Sequence, residues 1–448
     1  MRTERTEVLV VGAGPGGAAA AFGLARAGRE VLLVVRADFP RPKTCGDGLT
    51  PMAVETLGRM GLLDEVLAAG AIPIDRVRIA GPRGTTVDLA LADLQPEHGR
   101  ALVLGRTVLD DILRRAAVAA GATFAGRVEV ERLVRKGDRI AGVEATTDAG
   151  PLAIAAEHIV LAVGAKPGLI QRAGLLETRP DPIQTARTYV SGHRGSRDCF
   201  EFVFDAELLP GYAWVFPAAD GRANVGVGVV PSAGAKKRSA RDLLERFIGR
   251  ECAGGLLSGC EHREPVRGYP LRTDFPSGPV AGAGFALVGE AAGLGNPVTG
   301  EGIDLALESG LLAAEWIARD IAAGTADHRG YERALRERFE AMFVGLRRIR
   351  DVLLTPVGAD YSLWAMSQSR PLAGTLIGVA QGLLPPGRAL EPRVLAQLVT
   401  PLAPDLLVRE MTRLREWWSS LFAGKEPAAD PGASLGAAEP APLRSPAQ

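Results

Sequence analysis

The chain has 448 residues, a length that predicts two or three structural units rather than one hydrophobic core. Apolar residues make up 47% and charged residues 23%, which is the balance of a globular protein and excludes a wholly disordered chain. Basic and acidic residues number 52 each, and this zero net charge gives no reason to expect a nucleic acid partner.

The sequence has four widely spaced cysteines: Cys45, Cys199, Cys252 and Cys260. They form no Cys-x-x-Cys pair, so the sequence predicts neither a disulfide framework nor a metal site, and a reducing cytosol is favoured. Residues 1–7 are charged and carry no signal-peptide pattern. The longest apolar run, 371–384, is shorter than the roughly 20 residues of a membrane span. We therefore expect a cytoplasmic protein.

The amino-terminal residues predict a strand, a turn and a helix in close succession. Val8–Val11 is typical of a buried strand, Ala18–Ala27 indicates a helix of small residues, and Val31–Val35 predicts the next buried strand. Strand, helix and strand in so short a stretch form a βαβ unit, so the sequence predicts an α/β protein.

The next part of the chain mixes helices and strands. Val54–Leu67 and Arg106–Ala120 predict helices, and Arg76–Leu91 predicts a hairpin outside the nucleotide-binding fold. Three meander strands and a further buried strand follow, at Val128–Val134, Ile140–Thr146, Leu152–Ala155 and Ile159–Val163.

From residue 184 to residue 230 the pattern changes to strands alone. The predicted strands are Thr185–Val190, Cys199–Phe204, Tyr212–Phe216 and Asn224–Val229. They indicate a sheet that walls a substrate cavity. A buried strand at Phe285–Val288 and long helices at 300–323 and 331–354 follow, and the last third is predicted to be helical.

A glycine-rich turn joins the first predicted strand to the first helix. Its sequence, Gly12-Ala13-Gly14-Pro15-Gly16-Gly17, is a Gly-x-Gly-x-x-Gly pattern. The first glycine permits the tight turn, the second lets the backbone approach a pyrophosphate, and the third lets helix and strand pack closely. The phosphates then lie at the positive end of the helix. A plain glycine turn is the alternative, which the strand-turn-helix context disfavours.

The acidic residue that normally holds the adenosine ribose is missing from its usual position. Val35 stands at the end of the second strand and Arg36 follows it, whereas Asp38 is out of register. We therefore expect the ribose to be held by Arg36 or by the backbone.

A second glycine-rich segment favours FAD as the dinucleotide. Gly289-Glu290-Ala291-Ala292-Gly293 follows a predicted strand, and the carboxylate can accept a hydrogen bond from the ribityl chain. The stretch 300–303 opens a helix whose amides can face the flavin carbonyls, where negative charge builds on reduction. The predicted flavin contacts from these later segments are Gly164, Glu290, Gly293, Pro297, Gly300, Gly302 and Ile303.

With these motifs the chain resembles the large FAD family of aromatic hydroxylases, flavin halogenases and geranylgeranyl reductases. Those proteins usually carry Asp where this chain has Glu290. Arg106, with Leu109 and Asp110 after it, matches the family's Arg-x-x-Leu-Asp helix start. The resemblance implies that Arg106 contacts FAD, and a solvated helix-start residue is the alternative.

Two further segments resemble the geranylgeranyl reductases in particular. Lys43-x-Cys45-Gly46-Asp47-Gly48-Leu49 is similar to their Lys-x-Cys-Gly-x-Gly-Leu segment, and Tyr212-x-Trp214-x-Phe216-Pro217 to their Tyr-x-Trp-x-Phe-Pro segment. The resemblance covers roughly residues 6 to 350. It implies that Lys43, Cys45 and Gly46 lie at the flavin.

The physical properties of these residues agree with that implication. Gly46 allows the backbone to approach a flat ring, and Cys45 is small enough to lie at the flavin edge, although a buried structural cysteine is an equal alternative. Tyr212 and Trp214 alternate on one strand face, where they can form an apolar wall against an isoprenoid chain or belong to the ordinary sheet core.

The resemblance implies that the protein reduces carbon–carbon double bonds of an isoprenoid, with hydride from N5 of reduced flavin and a proton from an acid. The alkene is not polarised by a carbonyl, so placement supplies much of the rate. Cys45, Tyr212 and water are the candidate proton sources, and Cys45, Tyr212 and Trp214 are the predicted catalytic residues. No second nucleotide-binding motif is present, so electrons are expected from transiently docked NAD(P)H or from a ferredoxin.

Two other function classes stay open at this point. A flavin monooxygenase or epoxidase of secondary metabolism, acting on a polyketide-like substrate, shares the fold. Its halogenase relatives carry Trp-x-Trp-x-Ile-Pro where this chain has Tyr212 and Phe216, and its hydroxylase relatives carry Asp-Gly where this chain has Lys166. A non-catalytic flavin-binding module is the third class.

The resemblance implies a discontinuous Rossmann-type FAD-binding domain of the glutathione reductase and aromatic hydroxylase type, an antiparallel-sheet substrate domain and a helical carboxy-terminal region. The predicted bounds are 1–75, 100–165 and 266–330 for the FAD-binding domain, 76–99 and 166–265 for the substrate domain, and 331–424 for the helical region. Residues 425–448 are rich in Pro, Ala and Gly, which predicts a disordered tail.

An apolar stripe near the end of the helical region has two interpretations. It consists of Leu407, Met411, Leu414, Trp418 and Leu421, flanked by Arg409, Arg413 and Arg415. Such a helix can lie on the inner face of a membrane and extract lipid. Packing on the main body is the favoured alternative.

Overall fold

The computed structural model describes residues 2–94, 100–176, 180–231 and 239–399. Twelve α-helices and three β-sheets lie within these ranges. The helices are α1 (Pro15–Arg26), α2 (Pro51–Arg59), α3 (Leu63–Ala68), α4 (Leu91–Leu94), α5 (Arg106–Ala119), α6 (Gly168–Arg172), α7 (Ala240–Cys252), α8 (Ile303–Ala322), α9 (Arg329–Leu353), α10 (Pro356–Gln368), α11 (Arg370–Ala380) and α12 (Pro392–Val399).

The first sheet has eight strands, five of which are parallel. They are β1 (Arg2–Val11), β2 (Val31–Val34), β8 (Thr123–Ala125), β9 (Glu129–Lys136), β10 (Arg139–Thr147), β11 (Gly150–Leu161), β18 (Ala281–Gly282) and β19 (Phe285–Leu287). The parallel strands run in the order β19-β11-β1-β2-β8. Their aliphatic residues are almost fully buried because helices cover a parallel sheet on both faces.

Helix α1 packs closely on helix α8, which begins beyond the last strand of this sheet. A Cβ atom at Gly310 would lie 2.3 Å from the backbone oxygen of Gly16, and one at Gly23 would lie 2.7 Å from Cβ of Ala314. Small residues therefore set the short distance between the two helices. This contact holds the amino-terminal ends of both helices beside the edge of the sheet.

The second sheet also has eight strands and is mostly antiparallel. They are β5 (Arg76–Ala80), β6 (Thr86–Ala90), β12 (Ile183–Ser191), β13 (Cys199–Val203), β14 (Tyr212–Pro217), β15 (Ala223–Val229), β16 (His262–Arg263) and β17 (Arg267–Leu271). The order is β16-β12-β15-β14-β13-β5-β6, with β17 also paired to β12. Antiparallel β3 (Gly48–Leu49), β7 (Ala101–Val103) and β4 (Ile72–Ile74) form a third, small sheet.

Helices α10 and α11 cover part of the second sheet. Leu363 and Met366 of α10 and Ile377 of α11 belong to the same buried cluster as Phe200 and Trp214 of the sheet. The carboxy-terminal region is helical up to residue 399, as predicted. Within the described ranges, no helix is both long enough and apolar enough to cross a bilayer.

Most of the predicted strands and helices are confirmed, including the hairpin of β5 and β6 and the four strands of the region 184–230. Two boundaries were wrong. Ile159–Val163 is not a separate strand but the end of β11, and Val54–Leu67 is two helices, α2 and α3, separated by a turn at Gly61 with φ +74°. The division into FAD-binding, substrate and helical domains stays a prediction.

Helix α7 and a disulfide are findings that the sequence did not predict. Ser239 caps α7 by accepting a hydrogen bond from the backbone N–H of Asp242, at 3.3 Å. Cys252, the last residue of α7, is bonded to Cys260, with 5.6 Å between their Cα atoms. The expectation of no disulfide was therefore wrong, because the turn after α7 returns the chain to bonding distance. The apolar stripe 407–421 and the tail 425–448 lie outside the described residues.

Candidate active site

A cavity of about 820 Å³ lies where the first sheet meets the second. On one side are residues that follow the parallel strands: Gly12 after β1, Val35 after β2, Gly164 after β11 and Gly289 after β19. On the other side are side chains from one face of the second sheet, on β12, β13 and β14. Ligands of open α/β sheets bind outside the carboxyl ends of the strands, which is the position of this cavity.

The glycine turn between β1 and α1 has the geometry of a pyrophosphate site. Gly12 has φ +107°, and a Cβ atom there would lie 2.3 Å from the backbone oxygen of Ala162. Gly14 is the N-cap of α1, and a Cβ atom at Gly14 would lie 3.7 Å from Nη2 of Arg41 and 3.9 Å from Nη2 of Arg106. Two guanidinium groups and the positive end of a helix therefore face the same point, which fits an anionic pyrophosphate.

Arg106 is held in place by a buried carboxylate. Its Nε and Nη2 donate to Oδ1 and Oδ2 of Asp110 at 2.7 and 2.9 Å, and Arg41 reaches the same Oδ2 at 3.1 Å. Burial alone lowers the pKa of Arg106, but Asp110 and the Cys45 thiol outweigh it and the pKa lies above its ordinary value. The solvated alternative for Arg106 is therefore wrong, since its side chain is buried and faces the cavity.

An acid from another strand lies at the end of the cavity beside the carboxyl end of β2. Val35 and Arg36 line this end, as does Glu129 of β9, whose Oε1 is 4.0 Å from Nη1 of Arg36. Asp38 instead accepts a hydrogen bond from Arg127 at 2.7 Å and lies outside the cavity wall. Glu129 was not predicted as a site residue, because the acid of such sites normally stands at the end of β2.

A buried lysine and a buried glutamate line the cavity near enough to influence each other's ionisation. Burial lowers the pKa of Lys43 to about 8 and raises the pKa of Glu290, while the attraction between the two groups opposes both shifts. The Lys43 ammonium lies 3.0 Å from the ring centre of Tyr269. The loop of Glu290 is fixed by Arg272, which is 2% exposed and donates to the backbone oxygen of Ala291 at 2.8 Å.

The segment after Cys45 is tied to the second sheet through Asp47. This residue is 1% exposed and has φ +65°, a conformation that Asp tolerates better than most residues. Its Oδ2 accepts from the Tyr189 hydroxyl at 2.5 Å and from Nδ2 of Asn224 at 2.8 Å, and its Oδ1 accepts from the Arg106 N–H at 3.3 Å. Burial raises the pKa of Asp47, and these hydrogen bonds oppose the rise.

Asn224 connects this segment to the tryptophan of the second sheet. Its amide donates to the backbone oxygen of Cys45 at 2.8 Å, and its Oδ1 accepts from the indole Nε1 of Trp214 at 3.0 Å. The positions of Cys45 and Trp214 are thus coupled through one buried side chain. Neither Asn224 nor Tyr189 was singled out from the sequence, because each belongs to an ordinary strand pattern.

An aromatic wall covers the cavity face of the second sheet. It consists of Phe200, Phe202, Tyr212, Trp214 and Phe216, with ring centres of neighbouring pairs 4.5 to 6.4 Å apart. The Tyr212 hydroxyl donates to the backbone oxygen of Thr299, and burial raises its pKa. The wall joins the start of α8 to the strands and presents a continuous apolar surface.

Trp214 occupies space that only a glycine opposite can provide. A Cβ atom at Gly226 would lie 2.1 Å from Cζ2 of Trp214, so Gly226→Ala is expected to displace the indole and to lower the free energy of unfolding by about 1–3 kcal/mol. Gly228→Ala on the same strand face meets its nearest atom, in Ile183, at 3.8 Å and should have little effect. Urea unfolding with near-ultraviolet circular dichroism compares the two variants, and equal stabilities would contradict this account.

The structure brings most of the predicted site residues to this one cavity. The predicted residues in its wall are Gly12, Gly14, Pro15, Arg36, Lys43, Cys45, Gly46, Arg106, Gly164, Tyr212, Trp214, Glu290, Gly300, Gly302 and Ile303. The other three predicted cofactor contacts do not line the cavity; they are Gly17, Gly293 and Pro297. Among the described residues, no group of three or more His, Cys, Asp or Glu side chains is placed to hold a metal ion.

Known protein families match both halves of this arrangement. Residues 5–188 match the FAD binding domain, and residues 181–257 match the geranylgeranyl reductase catalytic domain. The first match contains the glycine turn, Cys45 and Arg106, and the second contains the aromatic wall. The two matches therefore meet at the cavity, and the geometry of its nucleotide end fits FAD.

Two curated relatives cover most of the chain. The menaquinone reductase of Mycolicibacterium smegmatis is 33% identical over 368 residues, 79% of this chain and 85% of the relative. Digeranylgeranylglycerophospholipid reductase 1 of Methanopyrus kandleri is 35% identical over 316 residues, 69% of this chain and 79% of the relative.

Solved structures share the fold at lower identity. A geranylgeranyl bacteriochlorophyll reductase-like protein from Thermoplasma acidophilum has a TM-score of 0.74 at 24% identity, covering 90% of this chain and all of that one. A flavin-dependent brominase has a TM-score of 0.69 at 18% identity, covering 84% of this chain and 94% of that one. Taken with the curated relatives, the family matches and the cavity, these findings establish that the chain belongs to the geranylgeranyl reductase family of FAD-dependent oxidoreductases.

Proposed function

We propose that this protein saturates isolated carbon–carbon double bonds in the prenyl chain of a lipid or a quinone, with FAD as its redox cofactor. The observation that carries this proposal is one continuous cavity that joins a dinucleotide site to an aromatic wall. The relatives named for menaquinone and for digeranylgeranylglycerophospholipid share a prenylated substrate, although the head groups in those names differ. The prenyl chain is therefore the part of the substrate that we assign to this wall.

The nucleotide end would hold FAD through groups of complementary charge. Arg41, Arg106 and the amino terminus of α1 would hold the pyrophosphate, while Arg36 and Glu129 lie where the adenosine ribose would be bound. Glu290 would accept a hydrogen bond from the ribityl chain. Lys43 lies beside Glu290 and would balance negative charge that builds in this part of the cavity on reduction.

Reduced FAD, when bound, supplies the hydride that the alkene accepts. The aromatic wall would position the prenyl chain and exclude water, and position decides the rate for an alkene that no carbonyl polarises. Asn224 is hydrogen-bonded to both Trp214 and Cys45, and it would therefore fix the position of the aromatic wall relative to the segment after Lys43. NAD(P)H or a ferredoxin would supply the electrons from outside.

Product analysis after anaerobic turnover tests the proposal. Dithionite-reduced holoenzyme is mixed with vesicles that contain either unsaturated menaquinone or unsaturated digeranylgeranylglycerophospholipid, and the extracted lipid is examined by mass spectrometry. The expected product has gained two hydrogen atoms in its prenyl chain for each double bond reduced, counted apart from the two that convert a quinone ring to a quinol. Unchanged lipid in both samples, together with a gain of one oxygen atom when air is admitted, would instead support a monooxygenase.

A further inference from the structure

Two acidic residues near the start of α8, Glu301 and Asp304, lie close enough beside the cavity to influence each other electrostatically. Glu301 is one of the residues that line the cavity, and its Oε2 accepts a hydrogen bond from the Thr299 hydroxyl at 3.0 Å. Asp304 is 2% exposed; its Oδ2 accepts from the Thr50 hydroxyl at 3.0 Å and its Oδ1 from the Leu305 N–H at 2.8 Å. The two acids therefore differ in their surroundings: one faces the cavity, and the other is bound by donors inside the protein.

This difference decides which of the two acids holds a proton at neutral pH. Burial and the neighbouring Asp304 raise the pKa of Glu301 to about 8, against the opposing hydrogen bond from Thr299. Burial also raises the pKa of Asp304, but its hydrogen bonds from Thr50 and the helix N–H stabilise the charged form. When two nearby carboxyls share one proton, it rests on the acid with fewer donors, which here is Glu301.

The polar hydrogens of the aromatic wall already donate hydrogen bonds within the protein. The Tyr212 hydroxyl donates to the backbone oxygen of Thr299, and the Trp214 indole donates to Asn224. Burial raises the pKa of the Tyr212 hydroxyl above its ordinary value. A tyrosine with a raised pKa and a bonded hydroxyl is a poor acid, so the wall itself offers no ready proton.

We propose that Glu301 is the acid that delivers the proton to the alkene in this reaction. The inference rests on the proposed function, whose carbon–carbon bond needs one proton for every hydride. One alkene carbon receives hydride from reduced FAD, which becomes oxidised FAD, and the π bond breaks. The other carbon takes the carboxyl proton of Glu301, leaving a carboxylate that regains its proton from water at the cavity.

Glu301→Gln keeps the size of the side chain and removes the acid, so it tests the assignment in the holoenzyme. The single-turnover rate of dithionite-reduced protein with unsaturated digeranylgeranylglycerophospholipid vesicles should fall by about 100-fold or more, which is the usual contribution of a positioned acid. FAD content should match that of the wild type. Glu315→Gln, on the exposed face of α8, is the matched control and should react at the wild-type rate.

Infrared spectroscopy of the protein without FAD gives a readout that does not depend on activity. The difference spectrum of wild type minus Glu301→Gln should show the carbonyl band of a protonated carboxyl at pH 7, with loss of the band near pH 8. Asp304→Asn removes the neighbouring charge and should move the loss of the band to lower pH. A wild-type rate in Glu301→Gln, or no such band at pH 7, would overturn the assignment.

The failure of this inference is distinguishable from failure of the proposed function. A wild-type protein that adds no hydrogen to the prenyl chain of menaquinone or of digeranylgeranylglycerophospholipid contradicts the function itself, and the assignment falls with it. A wild-type protein that adds hydrogen, together with an equally fast Glu301→Gln variant, contradicts only the role of Glu301.

Discussion

Gly17→Ala is expected to yield a protein that no longer retains FAD. A Cβ atom at this position would lie 1.8 Å from the backbone oxygen of Gly12 and 2.9 Å from Cβ of Ala162. Neither atom belongs to a flexible side chain, so the glycine turn itself has to move away from α1. Overpacking of this kind costs about 1–3 kcal/mol, which corresponds to FAD binding that is about 5- to 150-fold weaker. The absorbance of FAD relative to that of protein, after gel filtration, measures the loss.

Gly58→Ala is the matched control for this variant. Gly58 lies inside helix α2, and a Cβ atom there would meet nothing within 4 Å. The same chemical change should therefore retain FAD and raise the free energy of unfolding by up to about 1 kcal/mol, since alanine favours a helix. A Gly17→Ala protein with the FAD content of Gly58→Ala would show that the turn does not hold the cofactor as we describe.

Asp47→Ala is expected to lower the free energy of unfolding by about 3 kcal/mol or more. The change leaves the Tyr189 hydroxyl and the Asn224 amide without their buried acceptor, and each such group costs about 1–3 kcal/mol. Alanine also tolerates the φ of +65° poorly. Urea unfolding at pH 7 measures the difference, and turnover should fall as well, because Asn224 positions both Trp214 and Cys45.

Asp47→Asn separates the loss of an acceptor from the loss of charge. Asparagine tolerates the left-handed conformation and keeps one side-chain oxygen for Tyr189 and Asn224. It should therefore be more stable than Asp47→Ala by about 1–2 kcal/mol. Equal stabilities of the two variants would mean that Asp47 does not organise this part of the site.

The parallel core of the fold was predictable because its signals are local. The run Val8–Val11, the glycine turn and the small residues of α1 follow one another directly, so one window of sequence contains a complete βαβ unit. The start of α8 was found in the same way. The gathering of these segments around one cavity follows from the rule that parallel strands present their carboxyl ends at one edge.

The wrong predictions concern segments whose structure depends on contacts between residues far apart or across a turn, which a local sequence pattern does not contain. Leu152–Ala155 and Ile159–Val163 were predicted as separate strands, but both belong to β11, which continues through His158, a buried residue whose Nδ1 lies 3.2 Å from Nε2 of His328. The bond between Cys252 and Cys260 depends on the turn that follows α7. Neither contact leaves a trace in the spacing of residues along the chain.

The same limit applies to the supporting residues of the site. Cys45 and Trp214 were predicted from their segments, but Asn224, which couples them, lies 177 positions from Asp47 and looks like an ordinary strand residue. Glu301 was visible in the predicted helix start, yet its role depends on Asp304 and on burial. Sequence patterns thus locate the groups that face a ligand more readily than the groups that hold them.

The most direct test of the central claim follows the colour of the flavin when the reduced holoenzyme meets a prenyl chain without oxygen. We predict that unsaturated digeranylgeranylglycerophospholipid, which has no quinone ring to accept electrons, restores the yellow absorbance of oxidised FAD, with one flavin reoxidised for each double bond saturated, and that its fully saturated analogue does not. Flavin that stays bleached with the unsaturated lipid until air is admitted would contradict the claim that this cavity passes hydride to an isoprenoid.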